Sequence, residues 1–161
     1  MPGEIVERYR SNTTQLCSCD NILLAFAREA PGEADLAALS SQGMALAARW
    51  PAGIGFMLCV LPSCKPPQPE VRSRMVAALK TIAPPTKAMS CVILGEGFLA
   101  SAKRSVFAAL TLALRPGYPI KVFNDVSVGV QWLASHVDGC DGVELEQTVL
   151  TERARELADA S

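Results

Sequence analysis

Apolar residues along the chain occur in short runs that predict β-strands. Residues 16–19 and 22–27 are mostly apolar and flank the turn-forming pair Asp20-Asn21, which predicts a β-hairpin. Residues 54–61 and 88–94 are apolar almost throughout, which is typical of strands buried on both faces of a sheet. A shorter run at 120–123 predicts one further strand.

Between these runs, apolar residues recur at the three- and four-residue spacing of helices. The predicted inward positions are Leu36, Leu39, Gly43, Leu46 and Trp50; Val71, Met75, Ala78, Leu79 and Ile82; Leu99, Ala102, Val106, Leu110 and Ala113; and Val130, Trp132, Leu133 and Val137. Prolines follow the first three of these segments and end them, with a glycine after the first and the third. Asp125 or Ser127 can cap the fourth helix.

The order of elements predicts an α/β fold. An N-terminal hairpin forms an antiparallel edge and is followed by three helix–strand units and a last helix, so the sheet is mostly parallel and covered by helices. We expect residues 1–14 to be an irregular polar lead-in and residues 15–137 to form one domain. Residues 138–161 are predicted to form a linker and an acidic, partly helical tail, with Val143, Leu150, Ala154 and Leu157 on one face. That tail packs either on its own domain or on a second copy.

Composition narrows the function classes. Half of the 161 residues are hydrophobic, which excludes a disordered chain. A net charge of −1 argues against nucleic-acid binding through bulk charge. No apolar run reaches the roughly 18 residues of a membrane span, and the N-terminus lacks the apolar core of a signal peptide, so we expect a cytoplasmic protein without a transmembrane segment.

Residues able to perform catalysis or bind metal are few. The six cysteines form no Cys-x-x-Cys pair, and the single histidine, His136, has no cysteine at ligand spacing, so we expect no metal and no cofactor. Cys59 and Cys91 lie in apolar runs and are interpreted as small buried hydrophobic residues. His136 is interpreted as a surface residue near the end of a helix. No residue is assigned a catalytic role.

Two loops are candidate functional segments. The loop at 62–69 contains four prolines, and Ser63, Cys64, Lys65, Gln68 and Glu70 are candidate interaction or switch residues within it and just after it. A thiol near a helix N-terminus has a lowered pKa, so Cys64 could be a nucleophile; the alternative is a rigid loop that shapes a surface. Gly95, Glu96 and Gly97 follow a strand and open a helix, which makes them candidates for a ligand-binding turn or for a simple tight turn.

The segment Val122-Phe123-Asn124-Asp125-Val126-Ser127-Val128-Gly129-Val130-Gln131-Trp132-Leu133 resembles the last strand and helix of bacterial STAS / SpoIIAA-like proteins. Residues 66–72 are similar to the strand-to-helix junction of uncharacterised members, and the resemblance spans about residues 15 to 137. Members of the anti-sigma-factor-antagonist type carry a phosphorylatable serine at this junction. Ser63 takes that position here, without the preceding Asp and following Gly of their motif. Other branches hold an apolar ligand under a mobile helix.

Three functions therefore remain open. The first is a non-enzymatic regulatory or protein-interaction domain, with a protein partner or a second copy of the chain. The second is a carrier of a small apolar ligand or lipid, which predicts a large apolar pocket. The third is a thiol-dependent enzyme that uses Cys64.

Overall fold

A six-stranded sheet forms the centre of the molecule. The computed structural model describes residues 4–114, 117–139 and 141–159. The strands lie in chain order, as β1 (Ile5–Arg10), β2 (Thr14–Cys19), β3 (Ile22–Ala27), β4 (Ile54–Val60), β5 (Thr86–Ile93) and β6 (Ile120–Phe123). Strands β1, β2 and β3 pair antiparallel, and β3 to β6 pair parallel. The predicted α/β class with a mostly parallel sheet is confirmed.

Helices cover both faces of this sheet. The elements are α1 (Glu33–Arg49), α2 (Pro69–Thr81), α3 (Gly97–Leu114), α4 (Val126–Ala134) and α5 (Gly142–Asp159). Helices α1, α2 and α3 pack on one face, where Leu36, Met75 and Phe107 join a hydrophobic cluster with sheet residues. Helices α4 and α5 pack on the other face, where Val130, Leu133 and Val149 join a second cluster. The sheet therefore lies between two separate cores.

The N-terminal hairpin forms as predicted, but it does not form the sheet edge. Strands β2 and β3 turn at Asp20 and Asn21, and Asp20 takes a positive φ of 50°. The expectation of an irregular lead-in over 1–14 is wrong for the residues described there, because Ile5–Arg10 form β1 and supply the edge. Ile5 packs against the α4–α5 core and Tyr9 against the α1–α3 core. The polar residues of β1 prevent its recognition from the hydrophobic pattern. They are expected in an edge strand, which keeps one side in water.

The buried face of α3 is shifted by about one residue from the face that the sequence predicts. Ala100, Lys103, Phe107, Leu110 and Leu114 are buried, whereas Leu99 and Ala113 of the predicted face are exposed. Almost every position of α3 is apolar or small, so the sequence offers no polar stripe from which to place the inward face.

The tail helix α5 also buries a different face from the predicted one. Leu145, Val149, Glu152 and Glu156 are buried. Of the predicted face, Val143, Leu150 and Ala154 are exposed, and the side chain of Leu157 lies outside the described part. Glu156 forms ion pairs with Arg10 at 3.0 Å and with Arg28 at 3.3 Å. The tail thus packs on its own sheet, and hydrophobic spacing misses this face because half of it is glutamate.

One helix within the described ranges, α3, is long and apolar enough to cross a membrane by length and composition alone. Its buried residues contribute to the α1–α3 core of the sheet. Core helices of soluble proteins satisfy the same test, so the expectation of no transmembrane segment stays a prediction.

Candidate functional site

An apolar cavity lies between the sheet and helices α1, α2 and α3. The volume open to the centre of a water-sized sphere within it is about 70 Å³, so the cavity is narrow, and its mouth opens to solvent. Nearly all of the accessible surface inside it belongs to apolar atoms. The lining residues are Thr14, Leu16, Ala25, Ala27, Ala30, Pro31, Asp35, Leu36, Leu39, Phe56, Leu58, Val60, Cys64, Lys65, Pro67, Met75, Leu79, Met89, Cys91, Phe107, Leu110, Thr111, Leu114, Ile120 and Val122.

The cavity exists because the side chains on this face of the sheet do not fill the space beneath α3. Leu58 lies in β4, at the centre of the sheet, and is nevertheless partly exposed. Ile120 and Val122 of β6 are likewise only partly buried. The facing side chains of β3, Ala25 and Ala27, are short. Central strands of an α/β sheet are normally buried on both faces, so the exposure of Leu58 follows from the cavity, whereas β6 is an edge strand of the sheet.

The buried carboxylate of Asp35 lies at the cavity wall, and it already accepts four hydrogen bonds. Asp35 accepts hydrogen bonds from the Tyr9 hydroxyl at 2.8 Å, from Ser11 Oγ at 2.7 Å, from the Thr13 hydroxyl and from the Gly32 amide. Burial favours a higher pKa for Asp35, but these hydrogen bonds outweigh it and lower the pKa. The carboxylate is therefore a structural anchor between the β1–β2 turn and the start of α1.

The proline-rich loop between β4 and α2 contributes to the cavity wall. Cys64 is buried and lines the cavity with Lys65 and Pro67. Among the other candidate residues, Ser63, Gln68 and Glu70 are exposed, as is Lys65. The Ser63 hydroxyl donates to the Arg28 carbonyl at 3.2 Å. The structure thus places Cys64 and Lys65 at the cavity and leaves Ser63, Gln68 and Glu70 on the surface.

The thiol of Cys64 is less acidic than the sequence suggests. Burial raises its pKa, and the charge of Lys103 only partly opposes that rise. The thiol-enzyme hypothesis calls for a lowered pKa, and the direction found here is the opposite, because desolvation disfavours the thiolate.

Lys103 is a buried cation that sequence reasoning missed. It is 1% exposed and donates to the carbonyls of Leu61 at 3.2 Å and Pro62 at 3.4 Å. Desolvation lowers its pKa. Its contacts fasten α3 to the loop that follows β4. The available signal is its spacing, because residues 103, 107, 110 and 114 share one helical face.

The turn at Gly95, Glu96 and Gly97 lies beside the proline-rich loop but outside the cavity wall. All three residues are exposed, and both glycines have positive φ, at 98° and 84°. A Cβ placed on Gly95 would lie 3.5 Å from Cβ of Pro62, so the two candidate loops are neighbours at the carboxyl ends of the parallel strands.

Within residues 4–114, 117–139 and 141–159, the remaining reactive side chains lie apart from one another. His136 is exposed, stacks on Trp132 with ring centroids 4.4 Å apart, and has Nδ1 2.8 Å from the Trp132 carbonyl. Cys59 and Cys91 are buried, as predicted. The described residues contain no group of three or more His, Cys, Asp or Glu that could hold a metal ion; Cys140 lies outside them.

Comparison with known proteins leaves the family open. No family model, no curated protein and no solved structure matches this chain.

Proposed function

We propose that the protein binds a slim apolar molecule, such as an acyl chain, in the cavity between the sheet and α1–α3. The observation that carries this proposal is the almost wholly apolar wall around a space that reaches the centre of the sheet. Ligand sites are typically apolar concavities with a few polar groups, and a cavity of about 70 Å³ suits only a thin, flexible apolar molecule. This function is the carrier hypothesis of the sequence analysis.

Packing energetics support an apolar occupant. Protein interiors normally contain few voids larger than a water molecule, and side chains beside a void lose dispersion contacts. Water gains little from such a space, because it needs two to four polar partners and the Asp35 carboxylate already accepts four hydrogen bonds. An acyl chain would restore the missing contacts of Leu58 and Val122.

The test is a fluorescence titration with N-phenyl-1-naphthylamine, an uncharged apolar probe, on the full chain. Leu58→Trp extends a larger side chain into the cavity from β4, and Thr111→Phe narrows it from α3. We expect each substitution to weaken probe binding at least about tenfold, which corresponds to roughly 1.4 kcal/mol. Circular dichroism establishes that each variant is folded.

Leu112→Trp is the matched control, because Leu112 is 78% exposed on the outer side of α3. It enlarges a leucine to a tryptophan without touching the cavity, and we expect affinity within about twofold of wild type. Unchanged binding by folded Leu58→Trp and Thr111→Phe variants would contradict the proposal. So would a loss of binding in all three variants to the same extent.

A protein-interaction function is the second candidate, and the outer face of α3 supports it. Phe98 is 89% exposed and Leu112 78% exposed, and Ser101, Ser105 and Ala109 lie between them at helical spacing. No charged residue lies at these positions, which is unusual for a helix face in water. Native mass spectra of the protein purified from its host separate the two functions: a small reproducible adduct on 17.1 kDa supports the carrier, and multiples of that mass without an adduct support the interaction domain.

A further inference from the structure

A second concavity lies at the carboxyl ends of β5 and β6, away from the apolar cavity. The volume open to the centre of a water-sized sphere within it is about 530 Å³. The lining residues are Leu94, Gly95, Glu96, Gly97, Arg104, Asn124, Asp125 and Arg153. Most of its accessible surface is polar. In parallel sheets this edge is where ligands bind.

Two arginines from different helices line this cleft, and neither forms an ion pair with an acidic residue among those that the structure describes. Arg104 of α3 has a buried Nε with no hydrogen-bond partner, and one of its terminal nitrogens donates only to the Gly95 carbonyl at 3.4 Å. Arg153 of α5 is partly exposed and forms no hydrogen bond or ion pair within the described part of the chain. Guanidinium groups bind planar or tetrahedral oxyanions through paired N–H donors.

Two acidic residues, Glu96 and Asp125, also line the cleft, and within the described part of the chain neither forms an ion pair with Arg104 or Arg153. Asp125 caps α4 by accepting from the Val128 amide at 3.0 Å, so one of its oxygens is committed to the helix. Glu96 is exposed and lies on the turn. Its negative charge, between Gly95 and Gly97, would repel a bound anion. We propose that this cleft binds a small tetrahedral dianion, a phosphate or phosphate monoester group, between Arg104 and Arg153.

The test is an NMR titration of the ¹⁵N-labelled full chain with inorganic phosphate, and separately with acetate, at constant ionic strength and at a pH where phosphate is mostly dianionic. We expect saturable shifts of the Gly95, Gly97 and Asn124 amides with phosphate, and an affinity for acetate at least about tenfold lower. Absence of saturable shifts would overturn the proposal, and equal affinity for acetate would overturn the assignment to a tetrahedral dianion.

Substitutions locate the site. We expect Arg153→Gln and Arg104→Gln each to weaken phosphate binding about tenfold, as for the loss of a charge-assisted contact. Glu96→Gln is expected to strengthen it about threefold by removing a repulsive charge. Arg155→Gln is the matched control on the same helix, since Arg155 pairs with Glu152 at 3.0 Å and does not line the cleft. Equal loss in Arg153→Gln and Arg155→Gln would indicate nonspecific attraction and overturn the proposal.

Discussion

Gly129 lies where α4 approaches the sheet most closely. A Cβ on this residue would lie 2.6 Å from Cγ2 of Val92 and 2.9 Å from Oγ of Ser90. Ser90 is fully buried, and its hydroxyl donates to the Gly129 carbonyl at 3.1 Å. The absent side chain thus allows a hydrogen bond between helix backbone and sheet. The same logic explains Gly43 in α1, whose added Cβ would lie 2.7 Å from Cγ2 of Ile82.

We therefore expect Gly129→Ala to destabilise the protein by about 1–3 kcal/mol, the usual range for overpacking a core. Helix propensity alone would give the opposite sign, a gain of about 1 kcal/mol. Gly117→Ala is the control, because no atom lies within 4 Å of its added Cβ. Urea denaturation measures both. A Gly129→Ala variant as stable as wild type would show that α4 can move away from β5 without penalty.

At the scale of elements, α5 is held on the sheet by buried charge as well as by apolar contact. Glu156 is 0% exposed, and its carboxylate pairs with Arg10 of β1 and with Arg28 just after β3. Leu145 and Val149 of the same helix join the α4–α5 core. One carboxylate thus links the last helix to β1 and to the residue that follows β3.

Replacing Glu156 with alanine leaves two arginines without their carboxylate. We expect a loss of about 3 kcal/mol, the lower end for breaking a buried ion pair, because Arg10 and Arg28 keep some access to water. Glu144→Ala, at an exposed position of the same helix, should change stability by less than about 0.5 kcal/mol. Hydrogen exchange of the α5 amides should accelerate in Glu156→Ala alone. Unchanged exchange there would mean that the apolar contacts suffice.

These elements also show what the sequence can and cannot predict. Strands β3 and β4 are recognisable because their residues are almost continuously apolar and buried on both faces, and β5 is recognisable from Ala88 onwards, where Ser90 alone interrupts the apolar run. The inward faces of α3 and α5 are not, since one helix is apolar nearly all round and the other buries two glutamates. Hydrophobic periodicity assumes that buried residues are apolar and exposed residues polar, and both helices break that assumption.

The candidate site also has parts that the sequence predicts and parts that it does not. The loop residues Cys64 and Lys65 and the turn at 95–97 are visible in the sequence, because prolines and glycines mark loops at strand ends. The cavity itself is assembled from β2 to β6 and three helices, so no contiguous motif encodes it. Arg153 belongs to the acidic tail by sequence, and only the packing of α5 brings it to the turn.

At the scale of the whole molecule, the buried thiols couple stability to alkaline pH. All five cysteines in the described residues are buried. Burial raises the pKa of Cys59 from 9.0 to about 12, against the opposing charge of Arg153, and burial also raises the pKa of Cys91. In this pH range the folded state keeps protons that the unfolded state loses. The stabilising contribution of each thiol is therefore complete below pH 9 and is lost as pH rises from 9 towards 12.

Each such thiol adds a slope of up to about −1.4 kcal/mol per pH unit to the free energy of unfolding. Lys103 acts in the opposite direction, because its lowered pKa makes the folded state gain stability as pH rises towards 10.5. The five thiols outnumber it, so we expect the free energy of unfolding to fall above pH 9. The double variant Cys59→Ala/Cys91→Ala should reduce that fall by up to roughly 2.7 kcal/mol per pH unit.

Urea denaturation between pH 8 and 10.5, with a phosphine reductant to prevent disulfide formation, measures this slope. Val92→Ala is the control, since it removes side-chain volume from the fully buried face of β5 without removing a thiol. It should lower stability at every pH and leave the slope as in wild type. A double cysteine variant with the wild-type slope would mean that these two thiols are no harder to ionise in the folded protein than in the unfolded chain. The loss of stability at alkaline pH would then have to come from another group, such as Tyr118, whose pKa burial also raises.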